Sequence, residues 1–241
     1  MKGWRARIGF LVPPANPTVE PEMIQMAPPG VSLHFARMVT TEAGGGHQGQ
    51  EERNREQIEH LVESTRLLAM VKPDVIMLAH TATSYTLGRD AEAALLQRLQ
   101  VQFGVRVATA FGSVHAALTS LGVKRLALGT PYSREITLKG KAHLETCGFE
   151  VVSHGHLENV VNIYDETPER AYKLGRTIDK PTAQAIFLSA TGMPTISILE
   201  MLEQHLAKPA ISAASATMWH ALRLAGVRHH LQGYGRLFAA G

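Results

Sequence analysis

Ile186-Phe187-Leu188-Ser189-Ala190-Thr191-Gly192-Met193-Pro194-Thr195 passes directly from an unbroken apolar run into a turn of small polar residues. A short apolar run bounded by turn chemistry reads as a strand buried on both faces, the kind a parallel sheet holds between helices. The turn opens a helix, predicted over Thr195–His205.

The same unit recurs outward in both directions. Candidate strands are Arg7–Val12, Ser32–Met38, Asp74–Ala79, Arg106–Ala108, Arg125–Leu128, Val151–His154, Gln184–Leu188 and Ala210–Ser212. Helix-like stretches lie between them: Glu51–Met70, Ala91–Phe103, Ser113–Leu121, Arg134–Cys147, Pro168–Ile178, Thr195–His205 and Ala216–Ala225. Apolar strands alternating with helices define an α/β protein with parallel sheets, right-handed crossovers and ligands beyond the carboxyl ends of the strands. The two halves share one outline, so we expect two pseudo-symmetric lobes, each a parallel sheet flanked by helices, with the active site in the cleft between them. The first lobe is placed at residues 1–110 with 214–241, the second at 111–213.

Four strand ends lead into turns of this kind. They are Val12-Pro13-Pro14-Ala15-Asn16-Pro17-Thr18, His80-Thr81-Ala82-Thr83-Ser84, Gly129-Thr130-Pro131-Tyr132-Ser133 and Ser189-Ala190-Thr191-Gly192. Each sets small hydroxyl or amide side chains and free backbone N–H groups near a helix start, which suits anions. Ordinary helix capping uses the same residues, so one such turn says little; four in one chain point to a site. Gly44-Gly45-Gly46 reads as a flexible loop or lid, and neither a dinucleotide fingerprint nor a P-loop is present.

Composition narrows the classes. The 241 residues are 45% hydrophobic with a net charge of +3, enough for a sizeable core. Arg5 with Arg7 and Lys124 with Arg125 are short, scattered groups, so nucleic acid is not an expected partner. Apolar runs such as Val75–Ala79 and Ala185–Leu188 fall far below the roughly 20 residues of a membrane span. The start, Met1 to Arg7, is mildly basic, but Ile8–Val12 is too short for a secretory core. One cysteine, Cys147, excludes an internal disulfide framework. The expectation is a cytoplasmic protein.

Taken together, Ile8-Gly9-Phe10-Leu11-Val12-Pro13-Pro14-Ala15-Asn16, the turn after Asp74–Ala79, Leu126–Tyr132, Leu188–Thr195, Lys208–Arg223 and the ending Gly233-Tyr234-Gly235-Arg236-Leu237-Phe238 resemble the Asp/Glu racemase superfamily. The resemblance is to its maleate cis-trans isomerase and arylmalonate decarboxylase branch and covers nearly the whole chain. It implies cofactor-independent chemistry beside the carboxylate of a small carboxylic acid, an enediolate-like intermediate, a small carboxylate as partner, no metal, and a homo-oligomer. Residue by residue, Asn16 matches the carboxylate-binding amide of the isomerases, and Thr81 matches a hydroxyl of the same pocket. Ala82 replaces a hydroxyl residue of the decarboxylases and keeps only its backbone N–H. Tyr132 matches the substrate-donating tyrosine, Thr191 joins the oxyanion donors, and Asn159 resembles an isomerase substrate ligand more loosely.

The departures fall on the reactive positions. Racemases and isomerases of this kind carry a cysteine at each of two facing turns; here the first slot holds His80 and the second Ala190. A methyl group can neither move a proton nor add to a double bond, so thiolate chemistry is closed to the chain as it stands. Either Ala190 replaces a cysteine of a parent protein, or the site works without one and His80 transfers the proton. Cys147, at a helix end in Glu145-Thr146-Cys147-Gly148, reads as an inert thiol, and His47, in the glycine-rich loop, has a weaker claim than His80 to contact substrate, as a lid residue. His154, His156, His220, His229 and His230 lack the spacing or the acidic neighbours of a metal site.

Overall fold

The computed structural model describes residues 3–41 and 45–239. Met1 and Lys2, Gly44 of the glycine run, and residues 240–241 at the end of the expected first lobe lie outside the described residues. Eight strands form two four-stranded sheets. The first contains β1 (Ala6–Val12), β2 (Val31–Arg37), β3 (Val75–Leu78) and β4 (Arg106–Thr109), in the order β2-β1-β3-β4. The second contains β5 (Arg125–Thr130), β6 (Glu150–His156), β7 (Ala185–Leu188) and β8 (Ala210–Ser212), in the order β6-β5-β7-β8. Every pairing is parallel. All eight expected strands are present, and the identical orders relate the lobes by a pseudo-two-fold. The inner strands β3 and β7 are buried along their whole length, which is why Val75–Leu78 and Ala185–Leu188 are continuously apolar rather than alternating.

Helices cover both sheets. In chain order the first six are α1 (Val19–Met26), α2 (Gln50–Glu59), α3 (Leu61–Ala69), α4 (Thr81–Leu87), α5 (Arg89–Phe103) and α6 (Ala110–Ser120). The remainder are α7 (Arg134–Thr146), α8 (Pro168–Ile178), α9 (Leu199–Leu206), α10 (Ala213–Leu224) and α11 (Arg236–Ala239). Two helices cross between lobes: α6 follows β4 yet reaches β8, and α10 follows β8 yet packs on β3, with α6 and α10 lying against each other. Their contact is lined by small buried residues, among them Ala110 and Ala117 of α6 and Ala213 and Ala216 of α10. One hydrophobic core therefore spans both sheets, joining Phe10 and Met77 to Leu128, Phe187 and Met218.

Several helix boundaries differ from the sequence reading. The stretch predicted as one helix over Glu51–Met70 is broken at His60 (φ −92°, ψ 5°) into the strongly polar α2 and the amphipathic α3. The second small-polar turn is itself the first turn of α4, and α1 and α11 were not predicted. The helix expected from Thr195 begins with a 3₁₀ turn, Ile196–Ile198, before α9.

Candidate active site

Beyond β1, β3, β5 and β7 the four small-polar segments meet, and hydrogen bonds cross from lobe to lobe. Asn16 Oδ1 accepts from the Thr18 and Val19 amides (2.9 and 3.2 Å), opening α1 with an Asx turn, while its Nδ2 donates to Thr191 Oγ1 at 3.4 Å. Thr191 Oγ1 in turn donates to Ala79 O at 2.7 Å. Thr81 Oγ1 and Tyr132 Oη lie 3.1 Å apart, and Tyr85 Oη and Ser189 Oγ 2.8 Å apart. Thr18 Oγ1 donates to Gly192 O at 3.0 Å.

Capping explains only part of this chemistry. Ser133 accepts from the Ile136 amide and so caps α7. In contrast, neither His80 before α4 nor Thr195 before the 3₁₀ turn makes a side-chain cap bond. The hydroxyls of Thr81, Ser189 and Thr191 instead face the opposite lobe. Asn16, Thr81, Ala82, Tyr132, Ala190 and Thr191 are each exposed by 2% or less.

No lysine, arginine or carboxylate belongs to that group, so its electrostatics are set by desolvation. Burial raises the Tyr132 phenol far above its ordinary value, and the side chain stays an O–H donor across physiological pH. His80 Nδ1 lies 3.0 Å from Thr83 Oγ1, and burial lowers its pKa to about 4, leaving a neutral imidazole. Among the described residues His80 Nε2 has no hydrogen-bond partner. Ala190 occupies the left-handed region at φ 80°, a conformation that costs a residue with a Cβ on the order of 1–2 kcal/mol.

Asn159 is not part of this cluster. It is exposed, at φ 56°, in the loop after β6. The same loop does supply Tyr164, which the sequence reading missed: a Cβ on Gly192 would stand 2.7 Å from the Tyr164 ring and 3.4 Å from Asn16 Nδ2. Gly192 thus lets Asn16, Tyr164 and the Ala190 turn close on one point. Burial raises the Tyr164 phenol to about 12, against a lowering by Arg53 and Arg37. The glycine run joins from the other side, with Ile163 N donating to Gly45 O at 2.9 Å and His47 Nε2 lying 3.0 Å from Pro131 O. Glu22 was also missed: its Oε1 accepts from the Thr195 and Ile196 amides at 2.6 and 3.0 Å, pinning the end of the Ala190 turn to α1. Pro21 beside it obscured α1 in the sequence, and the turn it grips lies 173 residues away.

A fold of two exchanged α/β lobes around a buried amide and hydroxyl cluster defines the class, and the comparisons give it a family. The arylmalonate decarboxylase family model matches residues 8–238, and the chain belongs to that family. It is 28% identical to the arylmalonate decarboxylase of Bordetella bronchiseptica, over 96% of this chain and 95% of that protein. It is likewise 28% identical to the maleate isomerase of Nocardia farcinica (strain IFM 10152), over 96% and 94%. Among solved structures, a cysteine-to-alanine variant of the maleate isomerase Iso from Pseudomonas putida S16, determined with maleate, superimposes with a TM-score of 0.88. The two are 24% identical, over 98% of each chain. The family therefore contains both a lyase and an isomerase.

Proposed function

We propose that this chain is a cofactor-independent enzyme acting at the carbon adjacent to the carboxylate of a small carboxylic acid, by isomerase, racemase or decarboxylase chemistry through an enediolate-like intermediate. The observation that carries this reading is the set of interlobe pairs, Asn16 with Thr191 and Thr81 with Tyr132, buried and free of charged side chains. Such donors are worth most where negative charge develops during reaction rather than where it already rests. A substrate carboxylate entering between the lobes takes hydrogen bonds from Asn16 Nδ2, Thr81, Tyr132 and the Ala82 N–H. Those bonds tighten as charge moves from the α-carbon onto the carboxylate oxygens.

His80 is the proton carrier in this reading. A neutral imidazole with a pKa near 4 is a poor base, but an anionic substrate alongside it favours the imidazolium and moves that pKa toward neutrality. In racemisation His80 takes the proton from the α-carbon of the substrate and returns it; cis-trans isomerisation instead needs a nucleophile that adds to the double bond and leaves again, which the Ala190 methyl cannot supply. In decarboxylation carbon dioxide departs first and the enediolate then receives a proton. Residues 1–110 with 214–241 form one lobe and 111–213 the other, a division supported by the packing of α10 on β3 and of α6 on β8.

Ala190 favours a second reading, a carboxylate-binding protein without turnover, because its methyl cannot act on substrate. One experiment separates the two. Calorimetry with maleate and with an arylmalonate is followed by turnover in deuterated water, using the chain with Ala190, Ala190→Cys, and Ala190→Cys with His80→Ala. The enzyme reading expects dicarboxylate binding, turnover in Ala190→Cys, and a loss of roughly 10²–10⁴-fold when His80 is removed. Deuterium at the α-carbon without carbon dioxide release identifies racemase chemistry, and conversion of maleate to its trans isomer identifies isomerase chemistry. Binding without turnover in any variant selects the second reading, and no binding of either acid rejects both.

A further inference from the structure

Away from the interlobe cluster, α5, α6, α7, α10 and the end of β4 line an open cavity of about 370 Å³, inside the range of small-molecule sites. None of the small-polar turns lines it. Its apolar walls include Leu96 and Phe111, and its polar groups are Glu92, His115, His143, His220, the exposed Arg89, Cys147 and Thr109, whose hydroxyl hydrogen-bonds Glu92. Phe111 and His143 stack edge to face with centroids 4.2 Å apart, giving the cavity a firm aromatic wall.

The charge pattern of these walls is one-sided. Glu92 is buried on α5; its Oε1 accepts from Ser84 Oγ at 2.8 Å, and His143 Nε2 is 3.9 Å from its Oε2, beyond hydrogen-bond reach. No lysine or arginine among the described residues pairs with Glu92. Burial raises its carboxyl above the ordinary range and lowers all three histidines, so the imidazoles present lone pairs rather than positive charge. Arg89, the one cationic side chain lining this cavity among the described residues, is solvent-exposed; its charge adds to the lowering of His115 and His143, but it forms no ion pair with Glu92. A buried carboxylate lacking a cationic partner, ringed by neutral acceptors, repels anions and gains from a cation that restores its lost solvation. No three His, Cys, Asp or Glu among the described residues are placed to share a metal ion, so the cation must bring its own donors.

We propose that this cavity is a second binding site, selective for a small organic cation: a primary ammonium group carried on an aromatic or apolar body. The ammonium sits between Glu92 Oε2 and the imidazoles of His143 and His220, and the body lies against Leu96 and Phe111. The proposal is independent of the activity assigned to the interlobe cluster.

Cys147 also lines the cavity and is the only cysteine of the chain, so its thiol reports occupancy. The test measures the rate of Cys147 labelling by an aromatic disulfide reagent, alongside calorimetry, with benzylamine, benzoate and benzyl alcohol as probes. Benzylamine at ten times its Kd slows labelling about tenfold, whereas benzoate and benzyl alcohol leave the rate unchanged. Glu92→Gln weakens benzylamine about tenfold, the scale of one charge-assisted hydrogen bond. Ala93→Trp, an exposed position on the cavity wall, abolishes both protection and heat, and serves as the decisive variant if Glu92→Gln does not fold. Equal protection by benzoate or benzyl alcohol, no slowing by any probe, or undiminished benzylamine binding in Ala93→Trp overturns the proposal.

Discussion

Ala190 and Ala207 share a left-handed backbone, at φ 80° and 57°, yet the balance of terms differs between them. Ala207 terminates α9 and is exposed. Glycine there recovers about 1–2 kcal/mol of strain against about 0.5–1 kcal/mol of added chain entropy in the unfolded state. Ala207→Gly should therefore stabilise the protein by about 0.5–1 kcal/mol. At Ala190 the same relief is offset further by the loss of a fully buried methyl group, about 0.8 kcal/mol, so Ala190→Gly should be nearly neutral. Urea unfolding of both variants checks this; a clearly stabilised Ala190→Gly would show that the methyl packs against nothing. A Cβ held at a strained interlobe turn, with no net stability at stake, supports reading position 190 as one that projects a side chain toward substrate.

At the scale of elements, α1 and the Ala190 turn are coupled through one carboxyl. Burial raises Glu22 from 4.5 to about 7 despite its two amide donors. Its folded pKa lies above its unfolded value, so the folded state holds the extra proton and stability falls as pH rises from 4.5 to 7. His80 acts oppositely: its pKa drops from 6.5 to about 4 on folding, and stability rises with pH through that window. Above pH 6.5 the Glu22 contribution stands alone. Glu22→Gln keeps an oxygen to accept the Thr195 and Ile196 amides and removes the titration. Its stability relative to the parent should climb between pH 4.5 and 7 by up to about 3 kcal/mol, at about 1.4 kcal/mol per pKa unit. Urea melts at pH 5, 6, 7 and 8 that remain parallel would exclude this coupling.

The same elements show what the chain discloses on its own. Strands such as β3 and β7 were legible because burial on both faces demands continuous apolar residues. The four turns were legible because small polar residues followed strand after strand; within them Asn16, Thr81 and Tyr132 were singled out by the family resemblance. The helix α4 was not: Thr81-Ala82-Thr83-Ser84 has the composition of a turn, and only packing against α2, α5 and α7 makes it helical. Glu22, Tyr85 and Tyr164 were invisible for a different reason. Their partners are remote in sequence, and nothing local distinguishes a carboxyl or phenol that reaches across a cleft from one that faces solvent.

For the whole molecule, the exchanged helices decide how the lobes behave together. Two α/β lobes joined only by loops would be free to unfold one at a time. Here α6 carries the first sheet's connection onto β8, α10 carries the second sheet's connection onto β3, and a single core contains side chains from both sheets. Opening either lobe strips α6 and α10 from each other and exposes buried surface on the partner, so a half-folded state loses the core shared by both sheets and keeps only the smaller cluster around Leu61, Ile76 and Leu99 of the first lobe. Calorimetric unfolding of the free chain should give one transition with equal calorimetric and van't Hoff enthalpies. A dicarboxylate held between Asn16 and Thr191 on opposite lobes binds only when both are formed. It should raise that single transition as a unit, by about 2.7 kcal/mol at one hundred times its Kd. Two resolved transitions, or a ligand that shifts one part of the melt and leaves the rest in place, would show that the lobes are independent and that the interlobe hydrogen bonds do not govern their association.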